Sequence, residues 1–345
     1  MGEPKVALIT DTHFGVRKGS QIFHDYFEKF YSEVFFPTLD EHGVDTVVHL
    51  GDCFDVRKGI DYWSLDWAKR VFFEPLRERG IKVHIIVGNH DIFYKQSLSI
   101  NSPGLNLREF ENVTVQDRPG TQVFHEVPVL LVPWLCEGNA EEFARELDST
   151  SASLAWGHLE LAGFYANKDY QCQHGTDAKI FSRFDRVFSG HFHKKSTIGN
   201  VTYLGNPYQL YWNDEGDPRG FHIFDMKTYD LEFIENPFNM FEKIYLNEKS
   251  KLINPNKYAN KYIKVIVEKS TPRKVSNLVD KLYQVGINDL KVIENQDMYV
   301  DDDVNIESED TLTTLTNYVM AIEDDVNKQN IIDIFKSLYV EAQEV

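Results

Sequence analysis

Five times within the first 193 residues of this chain, an apolar run of strand length stops at a short polar cluster. The runs are residues 5–10, 46–50, 83–87, 154–156 and 186–188. They lead into Asp11-Thr12-His13, Gly51-Asp52-Cys53-Phe54-Asp55, Gly88-Asn89-His90-Asp91, Gly157-His158 and Ser189-Gly190-His191-Phe192-His193. A short β-branched run closed by glycine reads as a buried strand, and open α/β sheets build their sites at the carboxyl ends of strands. Any one of these clusters is ordinary turn chemistry, since Gly and Asn tolerate positive φ and Asp caps turns. Their recurrence is what constrains the fold, because it asks for a sheet that delivers carboxylates, an amide and imidazoles from several strand ends.

Seven of these side chains are candidate metal ligands: Asp11, His13, Asp52, Asn89, His158, His191 and His193. Residues two apart, such as Asp11 and His13, point the same way and can grip one cation. A mixed oxygen and nitrogen set suits Mn²⁺, Fe²⁺ or Zn²⁺ better than Mg²⁺ or a structural zinc. Seven ligands are too many for one ion but suffice for two that share Asp52. A pair ~3.5–4 Å apart activates water and holds a phosphoryl oxygen. His90 is left over, placed to protonate a leaving oxygen or to stabilise the transition state. Asp91 is expected to hold the His90 imidazole, and Asp55 to orient a neighbouring ligand from behind.

At 345 residues the chain suits a core of about 250 residues with a smaller appendage. No apolar run approaches the ~20 residues that cross a membrane, and Met1-Gly2-Glu3-Pro4-Lys5 has no signal-peptide core, so a cytoplasmic protein is expected. Cys53, Cys136 and Cys172 have no CxxC spacing and fit free thiols in a reducing compartment. The net charge of −18 is uneven: residues 296–345 carry thirteen acidic and two basic side chains, which leaves −7 for residues 1–295. A local basic face on the core is therefore compatible with the composition.

Taken in order, DxH, GDxxD, GNHD, GH and GHxH resemble the calcineurin-like metallophosphoesterase superfamily over about residues 5–240. The loop Gly51-Asp52-Cys53-Phe54-Asp55-Val56-Arg57-Lys58 is similar to that of its SbcD-type nuclease subunits, although it lacks their proline. Val132-Pro133-Trp134, residues 157–165 and Asp217-Pro218-Arg219-Gly220-Phe221 resemble the T-even phage branch of those subunits. The resemblance implies an α/β fold of two mixed β-sheets packed face to face and flanked by helices. It implies one ion held by Asp11, His13, Asp52 and His193, and another by Asp52, Asn89, His158 and His191. It also implies a 3′-to-5′ exonuclease on double-stranded DNA and an endonuclease on single strands. Such a subunit works with an SMC-like ATPase in recombination and repair, as a homodimer within a heterotetramer.

The basic pairs Arg17-Lys18, Arg57-Lys58 and Lys194-Lys195 lie beside the motifs and are candidates for DNA phosphate contacts; solvated loop charge is an equal reading of each. Within the core, helices are expected over residues 21–42 and 61–79, ended by Gly43 and Gly80, and a strand over residues 121–127. The division expected is a nuclease domain over residues 1–245 and a small α+β cap over 255–297. An acidic linker over 298–310 and a helical segment over 311–345 follow. Ile331, Ile334, Phe335 and Leu338 of that last segment form an apolar surface suited to a partner, by resemblance the coiled coil of the ATPase, or else to the protein's own core. Two other functions stay open at this point: a phosphodiesterase acting on small molecules or nucleotides, and a protein-binding scaffold.

Overall fold

The computed structural model describes residues 4–166, 171–173, 175–247, 253–268 and 270–293. Strands β1 (Lys5–Ile9), β2 (Thr46–His49) and β3 (Lys82–Ile86) lie side by side and parallel. After a hairpin of β4 (Ile92–Tyr94) and β5 (Ser97–Asn101), β6 (Val113–Gln116) adds a fourth parallel strand beside β3. The chain then builds a second sheet from β7 (Gly120–Phe124), β8 (Val127–Val132), β9 (Leu154–His158), β10 (Arg186–Gly190), β11 (Ser196–Ile198) and β12 (Val201–Tyr203), ordered β11-β12-β10-β9-β8-β7. Finally β13 (Gly220–Asp225) returns antiparallel to β1, and β14 (Leu231–Glu235) closes the first sheet in the order β14-β13-β1-β2-β3-β6.

Alternation along the strands explains why the sheets stack. In β1, Val6 and Leu8 point between the sheets with Val48, Leu50, Ile86, Leu131, Trp156, Phe188 and Phe224, while Ala7 and Ile9 face the helices outside. On the far face of the second sheet, Leu130, Ala155 and Val187 pack with Phe143 of the helix Ala140–Ser149. This is the expected pair of mixed sheets with helices on both outer faces. Trp156 is fully buried between them, so Trp156→Ala is expected to cost about 3–5 kcal/mol of stability, read by denaturant unfolding. A loss below ~1 kcal/mol would mean that the sheets collapse onto the void.

The helix expected over residues 21–42 forms as Gln21–Phe30 and Phe36–His42, joined by a widened π turn over Tyr31–Phe35, and ends at Gly43 with φ 62°. The helix after Asp61 has the same build, with a π turn over Lys69–Phe73. Each π turn precedes a proline, Pro37 or Pro75, whose ring and missing N–H disturb a regular α turn. Trp67 and Phe72 of the second helix are core, whereas Trp63 is 46% exposed.

Aromatic packing carries this layer to the strand ends. Phe27 stacks on Tyr208 with ring centroids 3.7 Å apart. The Tyr208 hydroxyl donates to the carbonyl of Thr12 at 2.6 Å and contacts the Tyr31 hydroxyl at 3.1 Å. The core thus fixes the loop that contains Asp11 and His13.

A third sheet of β15 (Phe241–Leu246), β16 (Tyr262–Val267) and β17 (Asp289–Ile293) is parallel throughout, with the helix Pro272–Gln284 crossing from β16 to β17. The expected boundary at residue 245 therefore falls inside a strand. β15 pairs with β16 along its whole length and belongs to the small sheet, a long-range pairing that local pattern does not reveal. Phe241 and Tyr262 pack against Phe23, which seats this unit on the core. The linker over 298–310 and the helical segment over 311–345 lie outside the described residues, as do Ile331, Ile334, Phe335 and Leu338. Among the described residues, no helix is long and apolar enough to cross a membrane.

Candidate metal centre

All five motifs leave parallel strands at the carboxyl ends of β1, β2, β3, β9 and β10, so the folded sheets bring the seven candidate ligands to one edge. Much of the backbone there is unusual. Asp11, His13, Asp52 and His191 have φ of 53°, 46°, 53° and 87°, a left-handed region that such residues enter at a cost. The long-range bonds Asp11 N–H to Gly51 O (2.9 Å) and His13 N–H to Asp52 O (3.1 Å) hold the first two motifs in that shape. Gly51 has φ 98°, and a Cβ on it would lie 2.3 Å from His158 Nδ1. A Cβ on Gly88 would meet Asp52 Oδ1 at 2.2 Å, so Gly88 is required by close approach, and Gly51 by both close approach and its φ.

Six of the candidate ligands fall into two clusters, Asp11, His13 and His193 in one and Asp52, His158 and His191 in the other; among the described residues His13, Asp55 and His90 form a further close group that shares His13 with the first. In the first, the Nε2 atoms of His13 and His193 face each other at 3.1 Å, with Asp11 Oδ1 3.9 Å from His193 Nε2. In the second, Asn89 Oδ1 lies 3.0 Å from both His158 Nε2 and His191 Nδ1. Asp52 Oδ2 lies between the clusters, 3.2 Å from His158 Nε2 and 4.0 Å from His13 Nε2. Lone pairs that converge in this way fit cations, and the oxygen and nitrogen donor set fits transition ions.

Supporting groups aim the ligands. His13 Nδ1 pairs with Asp55 Oδ1 at 3.0 Å, and His158 Nδ1 donates to the Leu50 carbonyl at 2.7 Å, which leaves both Nε2 atoms toward the clusters. Thr10 Oγ1 donates to Asp11 Oδ2 at 2.6 Å, and the Trp134 ring packs 5.0 Å from that of His191. Neither role is read from the sequence: Trp134 meets His191 only through the fold, and Thr10, although next to Asp11, is an ordinary residue at a strand end.

Electrostatics favours an ionised bridge. Burial would raise the pKa of Asp52, but the charges of His158, His90 and His13 hold it well below the usual carboxylate range. Burial likewise opposes protonation of His13 and His158. The Asp55 hydrogen bond and the nearby carboxylates prevail at His13, and the charge and hydrogen bond of Asp52 at His158, so that each is raised to about 9.

His90 stands beside the first cluster, its ring centroid 4.9 Å from that of His13. Its Nδ1 donates to the Asp55 carbonyl at 2.6 Å, so Nε2 is the free nitrogen. Asp91 does not hold this imidazole. Its buried carboxylate accepts the N–H groups of Gly88 (2.9 Å), Phe54 (3.1 Å) and Cys53 (3.3 Å), tying the second motif to the third. Ser102 Oγ also donates to Asp91 Oδ1 at 3.4 Å, so both carboxylate oxygens are engaged by donors other than the His90 ring.

The six basic candidates divide. The Arg17 guanidinium lies over Tyr211, 4.9 Å from the ring centroid, Lys195 Nζ lies 3.2 Å from that of Phe233, and Arg57 donates to the Ile92 carbonyl at 3.4 Å. Lys18 and Lys58 are exposed, and Lys194 is half-buried with its Nζ 5.5 Å from the Tyr165 ring centroid.

Comparison with known proteins bears on this centre. The family model described as calcineurin-like phosphoesterase matches residues 4–195. The chain is 35% identical to exonuclease subunit 1 of Enterobacteria phage T4, over 88% of this chain and 89% of that protein. It is 23% identical to the DNA double-strand break repair protein Mre11 of Methanocaldococcus jannaschii, over 85% of this chain and 83% of that one. It is also 26% identical to the uncharacterized metallophosphoesterase YhaO of Bacillus subtilis, over 56% of this chain and 48% of that protein.

Proposed function

The chain belongs to the calcineurin-like phosphoesterase family, and we propose that it is a two-metal DNA nuclease: a 3′-to-5′ exonuclease on duplex DNA and an endonuclease on single strands. What carries this reading is the likeness, along nearly the whole chain, to a protein named as an exonuclease subunit. In the proposed centre Asp11, His13 and His193 would hold one divalent ion and Asn89, His158 and His191 the other, with Asp52 available to both. The ions, Mn²⁺ in this proposal with Fe²⁺ or Zn²⁺ as alternatives, would supply an activated water and neutralise charge on the phosphoryl oxygens.

The chain's own part follows from its geometry. Asp55 and the Leu50 carbonyl fix the imidazoles of His13 and His158 in the orientation that presents Nε2. As water that has lost one proton to solvent bonds through its oxygen to phosphorus and the bond to the leaving oxygen breaks, the imidazolium of His90 gives its Nε2 proton to that oxygen. Lys18, Lys58 and Lys194 are the proposed phosphate contacts. No base-reading element is needed for cutting without sequence preference.

The small unit that begins at Phe241 is the proposed cap, and residues 311–345, with Ile331, Ile334, Phe335 and Leu338, the proposed grip on an SMC-like ATPase. The exposed side chains Tyr62, Trp63, Ile100 and Leu105, from segments 60–75 and 97–110, are the proposed contacts of a homodimer within a heterotetramer. The decisive experiment is Mn²⁺-dependent degradation of end-labelled duplex and single-stranded DNA. Metal-dependent cutting supports the nuclease reading, whereas hydrolysis of a nucleotide ester with no action on DNA overturns it in favour of a small-molecule phosphodiesterase.

The protonation of His13 and His158 has its own consequence. In the metal-free protein both keep a proton to about pH 9, and metal binding must displace it. Affinity for Mn²⁺ is expected to rise with pH between 6.5 and about 9, with proton release measurable by calorimetry in buffers of different ionisation enthalpy. Affinity that stays flat over that interval, with no proton released, would contradict the assignment of these two residues as ligands.

A further inference from the structure

Arg219 belongs to neither cluster, yet its side chain is buried beside the centre, the residue being only 5% exposed. Its Nη1 donates to the main-chain carbonyl of His193 and to Asn206 Oδ1. Its Nη2 pairs with Asp214 Oδ1 at 3.0 Å and Asp217 Oδ2 at 3.5 Å. Asp214 is itself buried and fixed, since its Oδ2 accepts the N–H groups of Leu210 at 2.7 Å and Tyr211 at 3.0 Å. The guanidinium is therefore anchored at one end and applied to His193 at the other.

His193 needs such a hold. It lies outside any strand or helix, three residues beyond the end of β10. Its carbonyl also accepts the Asn206 N–H at 3.3 Å, and a Cβ on Gly205 would approach that carbonyl oxygen to 2.9 Å. Where the carbonyl sits decides where the imidazole meets His13 and Asp11, because one residue's main chain and its Cα–Cβ vector move together.

We infer that Arg219 is a positioning residue for the first cluster, setting the His193 imidazole by clamping the His193 main chain between Asp214 and Asn206. The inference rests on the two-metal reading above. The fork geometry of arginine is essential to it: a lysine carries the charge on a single nitrogen and lacks the two Nη atoms that divide the carbonyl and Asn206 on one side from Asp214 on the other.

The test is Mn²⁺ titration of the whole chain by calorimetry, with electron paramagnetic resonance reporting coupling between two bound ions and thermal unfolding followed in parallel. The wild type is expected to bind two ions. Arg219→Lys and Asp214→Asn are expected to weaken one of the two by about 10–100-fold and leave the other unchanged. Arg219→Gln is expected to do so more strongly; if it fails to fold because Asp214 is left unpaired, the first two variants decide on the same criterion. Both affinities unchanged in the folded variants, with only the unfolding midpoint lowered, would overturn the inference and leave Arg219 a structural residue. Fewer than two ions bound by the wild type would overturn the two-metal reading itself, and the inference with it.

Discussion

Asp52→Asn is expected to abolish metal-dependent hydrolysis, lowering turnover by at least about a thousandfold. Asp52 is buried, and its Oδ2 is the atom that faces both His158 and His13. Its Oδ1 accepts the main-chain N–H of His90 at 2.7 Å, so the same side chain ties its own motif to three others. Asparagine keeps the size and can still accept that N–H, while removing the charge that two cations would share. Elemental analysis should find fewer than two bound ions, and circular dichroism should find the fold retained. A folded Asp52→Asn protein that cuts DNA at the wild-type rate would remove Asp52 from the centre.

His90→Gln is expected to lower turnover on DNA by about 10²–10⁴-fold with both metal affinities unchanged, the cost of losing a positioned proton donor. The structure supplies a sharper test than the rate alone. Because Nδ1 is occupied by the Asp55 carbonyl, only Nε2 can face a leaving group. A phosphodiester with an activated aryl leaving group needs no proton, so the same variant should retain most of its activity on that substrate. Equal losses on both substrates would instead assign His90 to charge stabilisation on the phosphoryl group.

Much of this protein was legible from residue order because its signals are local. The spacing of Phe23, Phe27, Phe30 and Phe35 is helical, Gly43 caps that helix, and the glycine-closed apolar runs mark β1, β2, β3, β9 and β10. The candidate ligands were visible for the same reason, each lying within a few residues of a strand end. Other features were hidden. The expected strand over residues 121–127 is broken by a tight turn at His125-Glu126, with φ 45° and 70°, where no glycine or asparagine advertises it. Pairing with Val127–Val132 forces that turn, and tertiary context overrides the residue preference.

By itself, then, the sequence determined which strands end in candidate metal ligands, since each cluster is a property of neighbouring residues, and the order of the five motifs carried the resemblance to the family, which in turn implied the two-sheet class. Only the tertiary structure decided how the site is aimed: that Asp55 rather than Asp91 steadies the imidazoles, that Asp52 lies between two clusters, that Arg219 reaches His193, and that β15 joins the small sheet. Each depends on a contact between residues far apart in sequence, or on a side chain's choice among competing donors. Such choices are settled by packing and hydrogen-bond satisfaction once the sheets have closed.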